Sequence, residues 1–343
     1  MLIFFFILEN NITPTNPMKH LKIIVVLSFL CYSTMSQAQQ TASWSSFYEN
    51  GFIWNPALTA RWNAWELSAT LRQEWSGFQD APEYGTVGFQ YPFIRNKIKT
   101  TIGAYAETDK VGPYESVGLG GTYTYKLYTG LFGIRDGVLT LGLGAKINQF
   151  RFNALNLVSY DGIESDFTIP EDGYKYYRPN VSFGVFYNSV SDFYSHFPHF
   201  YFGASITNAL PYGSEIPPYG SWQSVPHVHL HGGMRLKKSK RSDSYVEPSV
   251  MVSYAYTKVI NVMANVRYEK EQKYWAAIGG VSNGEVFAQA GLIFNDQSVL
   301  GWLVNDGLLR IGTKVDYSLG SIGQFAGMGY EAYVAYMFSE EPY

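Results

Sequence analysis

The 343-residue chain has one cysteine, Cys31, and only 15% of its residues are Asp, Glu, Lys or Arg. Cys31 lies inside a stretch with the pattern of a cleaved signal, so the mature chain is expected to lack disulfides and thiolate chemistry. A lipid anchor on that cysteine would need a small residue before it, and Leu30 stands there. Soluble chains carry roughly 25% charged residues, so this one is short of solvating surface. The net charge of −3 comes without the clustered basic face that a nucleic-acid partner requires. The one basic cluster, Lys237, Lys238, Lys240 and Arg241, reads as a solvated turn. Beyond the signal, no stretch reaches the ~18 consecutive apolar residues of a spanning helix. No serine stands in a nucleophile elbow. The glycine runs do not open a helix, as a phosphate loop must. No cofactor, metal or enzymatic activity is expected.

Residues 18–38 have the secretory pattern. Lys19, His20 and Lys22 form a basic end, Ile23 to Leu30 a short apolar core, and Ser36-Gln37-Ala38 a small-residue cleavage site. Met18 reads as the natural start, which leaves residues 1–17 as an extension or a mis-assigned start. An exported chain without a spanning helix is periplasmic, secreted or a barrel.

What the chain has in quantity is aromatics (17%), with 28 Tyr, and 33 Gly. Strands with aromatic girdles and tight turns need both. The end of the chain shows the pattern best. Leu309, Ile311, Thr313, Val315 and Tyr317 alternate with Arg310, Gly312, Lys314 and Asp316. Tyr330, Ala332, Val334, Tyr336 and Phe338 share one face of a last strand. Side chains of a strand alternate between faces, so each strand has an oily side and a polar side, as in a barrel with lipid outside and a polar lumen. Fourteen strands are expected, at about 64–76, 83–92, 98–107, 115–127, 137–150, 178–189, 198–208, 225–237, 245–256, 259–269, 272–281, 285–296, 307–318 and 328–338. The fold class is therefore all-β, a transmembrane outer-membrane β-barrel over 64–338 with a periplasmic tail at 339–343.

Residues 39–63 precede the first strand and hold Trp44, Phe47, Tyr48, Phe52 and Trp54, which need a place to bury. The segment reads as a plug or collar of the barrel, with an extra strand or a flexible leader as alternatives. With both termini periplasmic, the long connections 151–177 and 209–224 face outside. The apolar run Val299-Leu300-Gly301-Trp302-Leu303-Val304 would be a contact patch in a periplasmic turn or a further strand. His227, His229 and His231 share one strand face. They read as a polar lumen stripe, since a metal site needs a further ligand. Asp161, Glu164, Asp166, Glu171 and Asp172 read as a solvated acidic loop. Glu66, Arg72, Glu74, Lys99, Glu107, Lys146, Glu247, Arg267, Lys314, Asp316 and Glu331 are expected in the lumen, where mixed signs can cross-link a filled interior.

Four segments carry a resemblance. Ser43-Trp44-Ser45-Ser46-Phe47-Tyr48-Glu49-Asn50 with Trp54-Asn55-Pro56-Ala57 resembles the opening of mature PorP/SprF-type outer-membrane proteins. Arg72-Gln73-Glu74-Trp75-Ser76-Gly77-Phe78-Gln79-Asp80-Ala81-Pro82 is similar to that family's signature. Asp109-Lys110-Val111-Gly112-Pro113 resembles an outer loop of the family, and Asp316-Tyr317-Ser318 with Gly329-Tyr330-Glu331 its closing hairpin. The departures are Glu74 for the usual Gln, Tyr330 for the usual His, and Arg61 where a small pair is usual.

The resemblance implies the type IX secretion and gliding-motility apparatus of Bacteroidota, and no enzymatic activity. Its implied partners are a secreted client, bound through its C-terminal domain, other secretion or gliding components at the periplasmic face, and the lipid bilayer. In this reading the barrel presents aromatic anchors to a client: Tyr160, Phe167, Tyr174, Tyr176 and Tyr177 on one outer loop, and Tyr212, Tyr219 and Trp222 on another. The signature around Trp75, Gly77, Phe78 and Pro82 would dock the client or fold as a tight loop over the lumen. A porin or a hydrophobic-solute channel is the competing function.

Overall fold

The computed structural model describes residues 49–338, apart from 62–63, 94–98, 129–136, 153–173, 190–198, 211–212, 216–220, 224, 238–241, 243, 257–258, 271–272, 297, 299–300, 305–306 and 321–322. The signal, the extension and the C-terminal tail thus lie outside the described residues, as do Tyr160, Phe167, Tyr212, Tyr219 and the acidic loop. Among the described residues no helix is long and apolar enough to cross a membrane.

Fourteen antiparallel strands close into one barrel. They are β1 (Trp65–Gln73), β2 (Glu83–Phe93), β3 (Thr100–Val111), β4 (Tyr114–Tyr128), β5 (Val138–Phe152), β6 (Tyr174–Asn188), β7 (His199–Thr207), β10 (His227–Lys237), β11 (Ser244–Ala255), β12 (Val259–Lys270), β13 (Tyr274–Val281), β14 (Glu285–Phe294), β15 (Leu308–Ser318) and β16 (Met328–Phe338). β8 (Gly213–Glu215) and β9 (Ser221–Gln223) form a separate two-stranded ribbon between β7 and β10. Every expected strand is present. Neighbours in sequence pair throughout, and β1 pairs with β16, from Trp65 opposite Phe338 to Gln73 opposite Tyr330, to close the ring.

The burial pattern is the inverse of a soluble sheet. On β1 the outward Leu71 is 69% exposed while the inward Arg72 is 6% exposed. β12 turns Ile260, Val262 and Val266 outward and buries Arg267 and Glu269. An apolar outer face spread over fourteen strands is stable only against lipid, and closure leaves no strand edge unpaired there. Aromatics mark the rim where β1 begins and β16 ends. Trp65 meets Tyr91 at 4.4 Å between ring centroids, and Tyr336 meets Phe338 at 4.5 Å. Tyr114, Tyr177, Tyr317 and Tyr330 mark the far rim.

Four expectations need correction. The connection at 209–224 is not strand-free, because it holds β8 and β9. The connection after β5 is shorter than 151–177, since β6 begins at Tyr174 and places Tyr174, Tyr176 and Tyr177 on a strand. Opposite them β5 runs on to Phe152, and Phe150 stacks on Tyr176 at 5.0 Å. Asp109 to Val111 belong to β3, so that outer loop shrinks to Gly112-Pro113, with Gly112 at φ +57°. Lys99 is exposed ahead of β3 and is not a lumen residue. In the apolar run near residue 300, Gly301–Val304 is a helical turn, and Val304 is buried with its carbonyl accepting from the Tyr336 hydroxyl.

Candidate functional site

Two regions gather the residues singled out above. The first is the segment 49–61, a helical turn Gly51–Trp54 followed by a 3-10 turn Pro56–Leu58. Asn55 caps the second turn through Oδ1, which accepts from Ala57 N at 3.0 Å, and Pro56 takes the first position, where its missing N–H costs nothing. Every residue from Glu49 to Ala60 is buried, and the partners are inward-facing groups around the ring. Arg267 of β12 donates to Glu49 at 2.7 Å. Ser205 of β7 donates to the Trp54 carbonyl at 2.8 Å, and Asn55 Nδ2 lies 3.2 Å from His231 Nε2 of β10. Gln90 of β2 accepts from Ala60 N at 2.7 Å, and Lys126 of β4 donates to the Ala60 carbonyl at 2.9 Å. Thr101 of β3 donates to the Thr59 carbonyl at 3.0 Å. The segment therefore lies within the lumen.

Two glycines make its seat. A Cβ on Gly142 would stand 2.2 Å from Ala57 N, and one on Gly184 2.0 Å from Asn55 Oδ1. Only a residue without a side chain lets the Asn55-Pro56-Ala57 backbone approach the wall there. The histidine stripe faces the same segment. The Trp54 ring meets His231 edge-on at 4.7 Å, and His229 lies 2.9 Å from Ser253 Oγ and 3.2 Å from Thr207 Oγ1. The histidines thus line the lumen as expected, and the ring nitrogens of His229 and Nε2 of His231 engage neutral neighbours. Among the described residues no three His, Cys, Asp or Glu groups converge as metal ligands.

The second region is the seam where the first and last strands meet, at the far rim, where β1 ends and β16 begins. Arg72 contacts Glu74 at 2.9 Å, Glu331 at 3.3 Å, Asp316 at 3.5 Å and Glu285 at 3.6 Å. Lys314 reaches Asp316 at 2.8 Å and Glu285 at 3.2 Å. Closure brings the early signature residue Arg72 beside Asp316 and Glu331 of the closing hairpin. Above them, the loop 74–82 is stitched to the last far-rim loop. Ser76 N donates to the Met328 carbonyl at 3.1 Å and Gly77 N to the Ala326 carbonyl at 2.8 Å. A Cβ on Gly77 would stand 2.4 Å from the Phe325 carbonyl, so glycine is required at this crossing. Pro82 accepts from Glu74 N at 2.9 Å to close the loop, and Ala81 is buried beneath it.

Trp75 and Asp80 sit at φ +52° and +56°, a costly backbone for residues with side chains. The loop's backbone is held down while Trp75, Phe78 and the neighbouring Phe325 stay exposed, with the Trp75 and Phe78 rings 6.4 Å apart, edge to face. Tyr317 faces outward on β15, and Trp222 lies on β9. Two further lumen clusters complete the interior. Glu107 contacts Lys146 and Asn148 at 2.9 Å each. Glu269 binds Arg267 at 2.6 Å and Arg310 at 3.3 Å. Sequence periodicity assigned Glu107, Lys146 and Arg267 to the lumen, but the Glu49–Arg267 link had no signal. It exists only because segment 49–61 enters the barrel.

A closed, lipid-facing ring with a charge-filled interior defines an outer-membrane β-barrel protein. A solved structure shares that fold. The "CymD monoaromatic hydrocarbon channel" superposes with a TM-score of 0.51 at 10% identity, covering 86% of this chain and 93% of that one. A Pseudomonas aeruginosa FadL homologue gives a TM-score of 0.46 at 9% identity, covering 83% and 92%. No curated protein sequence matches the chain. The family is shown by its model: residues 36–336 match the type IX secretion system membrane protein PorP/SprF, and the chain belongs to that family.

Proposed function

We propose that this protein is a non-enzymatic outer-membrane component of type IX secretion that supports the export or surface attachment of a secreted client. The rim where β1 begins and β16 ends is then periplasmic and meets other secretion or gliding components. The far rim is extracellular and meets the client's C-terminal domain. The two longest connections, β5 to β6 and β7 to β10, lie on the far rim, which supports this orientation. The observation that carries the reading is the first far-rim loop. Its backbone is strained and pinned at both ends, yet Trp75 and Phe78 are presented to the outside. A tight loop that only covered the lumen would turn those rings inward. Strain is retained where the surrounding structure fixes a functional geometry, and exposed aromatics on a rigid base make strong anchors. Tyr174, Tyr176 and Tyr177, at the far end of β6, and Trp222 on β9 are further candidate anchors; Tyr160, Phe167, Tyr212 and Tyr219 fall in the same two connections, outside the described residues.

The test is client retention. Cells carrying Trp75→Ala with Phe78→Ala should release the client into the medium while the barrel still folds, shown by its heat-modifiable migration. Retention that survives these changes and deletion of 153–173 and 211–224 would sink the mechanism. A channel for small apolar solutes, the role in CymD's name, would have to pass the buried segment 49–61.

A further inference from the structure

The outer wall carries a groove of about 680 Å³ below the far rim, crossing the seam from β15 through β16, β1 and β2 to β3 and β4. Leu71, Thr313, Val315, Tyr330 and Ala332, which line it, all stand on the outward faces of their strands. Its depth comes from small residues. Gly85 pairs with Leu71 on one side and Thr108 on the other, and Ala332 lies opposite Leu71 across the closing pair. Walls of Leu71, Val315 and Tyr330 rise around that floor. The volume lies within the ~300–1,000 Å³ of small-ligand sites.

The upper edge is charged in a fixed order. Glu83 is paired across the sheet with Lys110, and Lys110 with Glu115, so the outer face there reads minus, plus, minus. Lys110 lies 3.8 Å from Asp80, and Glu115 lies 3.6 Å from Arg151. Glu83 has no ion partner among the described residues. An apolar trough that opens toward the bilayer and ends at a carboxylate fits one kind of occupant. We infer that the groove binds a membrane lipid, one hydrocarbon chain lying over Gly85 and Ala332 and a primary ammonium of its head against Glu83. An anionic head would meet Asp80, Glu83 and Glu115 against Lys110 and Arg151, an unfavourable balance. The surrounding bilayer supplies the chain without a further partner.

The experiment is native mass spectrometry of the delipidated mature barrel with added phosphatidylethanolamine, phosphatidylglycerol or diacylglycerol. One phosphatidylethanolamine should be retained in preference to the other two. Glu83→Gln should weaken its retention about fivefold, as for an exposed charge pair. Gly85→Leu and Ala332→Phe, which fill the trough, should each abolish it while heat-modifiable migration stays native. Equal retention of all three lipids, unchanged by either filling substitution, overturns the site. A preference for phosphatidylglycerol that ignores Glu83→Gln overturns the amine assignment. A polypeptide that co-purifies until Ala332→Phe is made, with no lipid adduct, overturns it in favour of a protein interface.

Discussion

Arg235 is fully buried and lies 2.7 Å from Glu247, which also accepts from the Tyr201 hydroxyl at 2.6 Å. A buried pair contributes little net stability, but removing one partner leaves the other charge desolvated. Glu247→Ala should therefore lower unfolding stability by about 3–5 kcal/mol. Glu115→Ala, which breaks the half-exposed contact with Arg151, should change it by no more than ~1 kcal/mol. Urea titration of the barrel in detergent measures both. Equal effects would mean that the lumen is hydrated and its charges screened. The alternation of residue types made the inward side of Glu247 and Arg267 readable in advance. It could not show that Arg72 meets Asp316 and Glu331, because those residues become neighbours only when β1 pairs with β16.

Among the elements, the strands were legible and the connections less so. β1, β12, β15 and β16 have unbroken alternation, so their positions followed from period alone. The start of β6 did not, because Tyr176 and Tyr177 are adjacent aromatics on opposite faces and hide the period. β8 and β9 are three residues each, too short to show one. The aromatic content of 39–63 announced a segment needing burial. Its seat on Gly142 and Gly184 could not be read, since a glycine in a strand looks the same whether it eases curvature or admits another backbone. Gly142→Leu should thus expel or distort the segment 49–61, at a packing cost of about 1–3 kcal/mol. A cysteine placed at Ala57 should be protected from a water-soluble maleimide in the parent barrel and react once Gly142→Leu is added. Equal labelling in both would show that the glycine serves only the wall.

For the whole molecule, the barrel is crossed by the segment 49–61 and by the Arg72, Glu107 and Glu269 clusters. An interior so filled should conduct ions poorly in planar bilayers, and Gly142→Leu should raise the conductance. Porin-like conductance of the parent would contradict that. A barrel whose lumen is crossed in this way is suited to holding surfaces at its two rims, as the proposed role requires. The measurement that tests this most directly is the protein content of the culture fluid and cell surface with and without the gene. The account predicts that at least one type IX client is lost from the surface or the medium, and that the gene restores it. If every secreted and surface-attached protein is unchanged while uptake of a small solute falls, the protein is a transport barrel and the account is wrong.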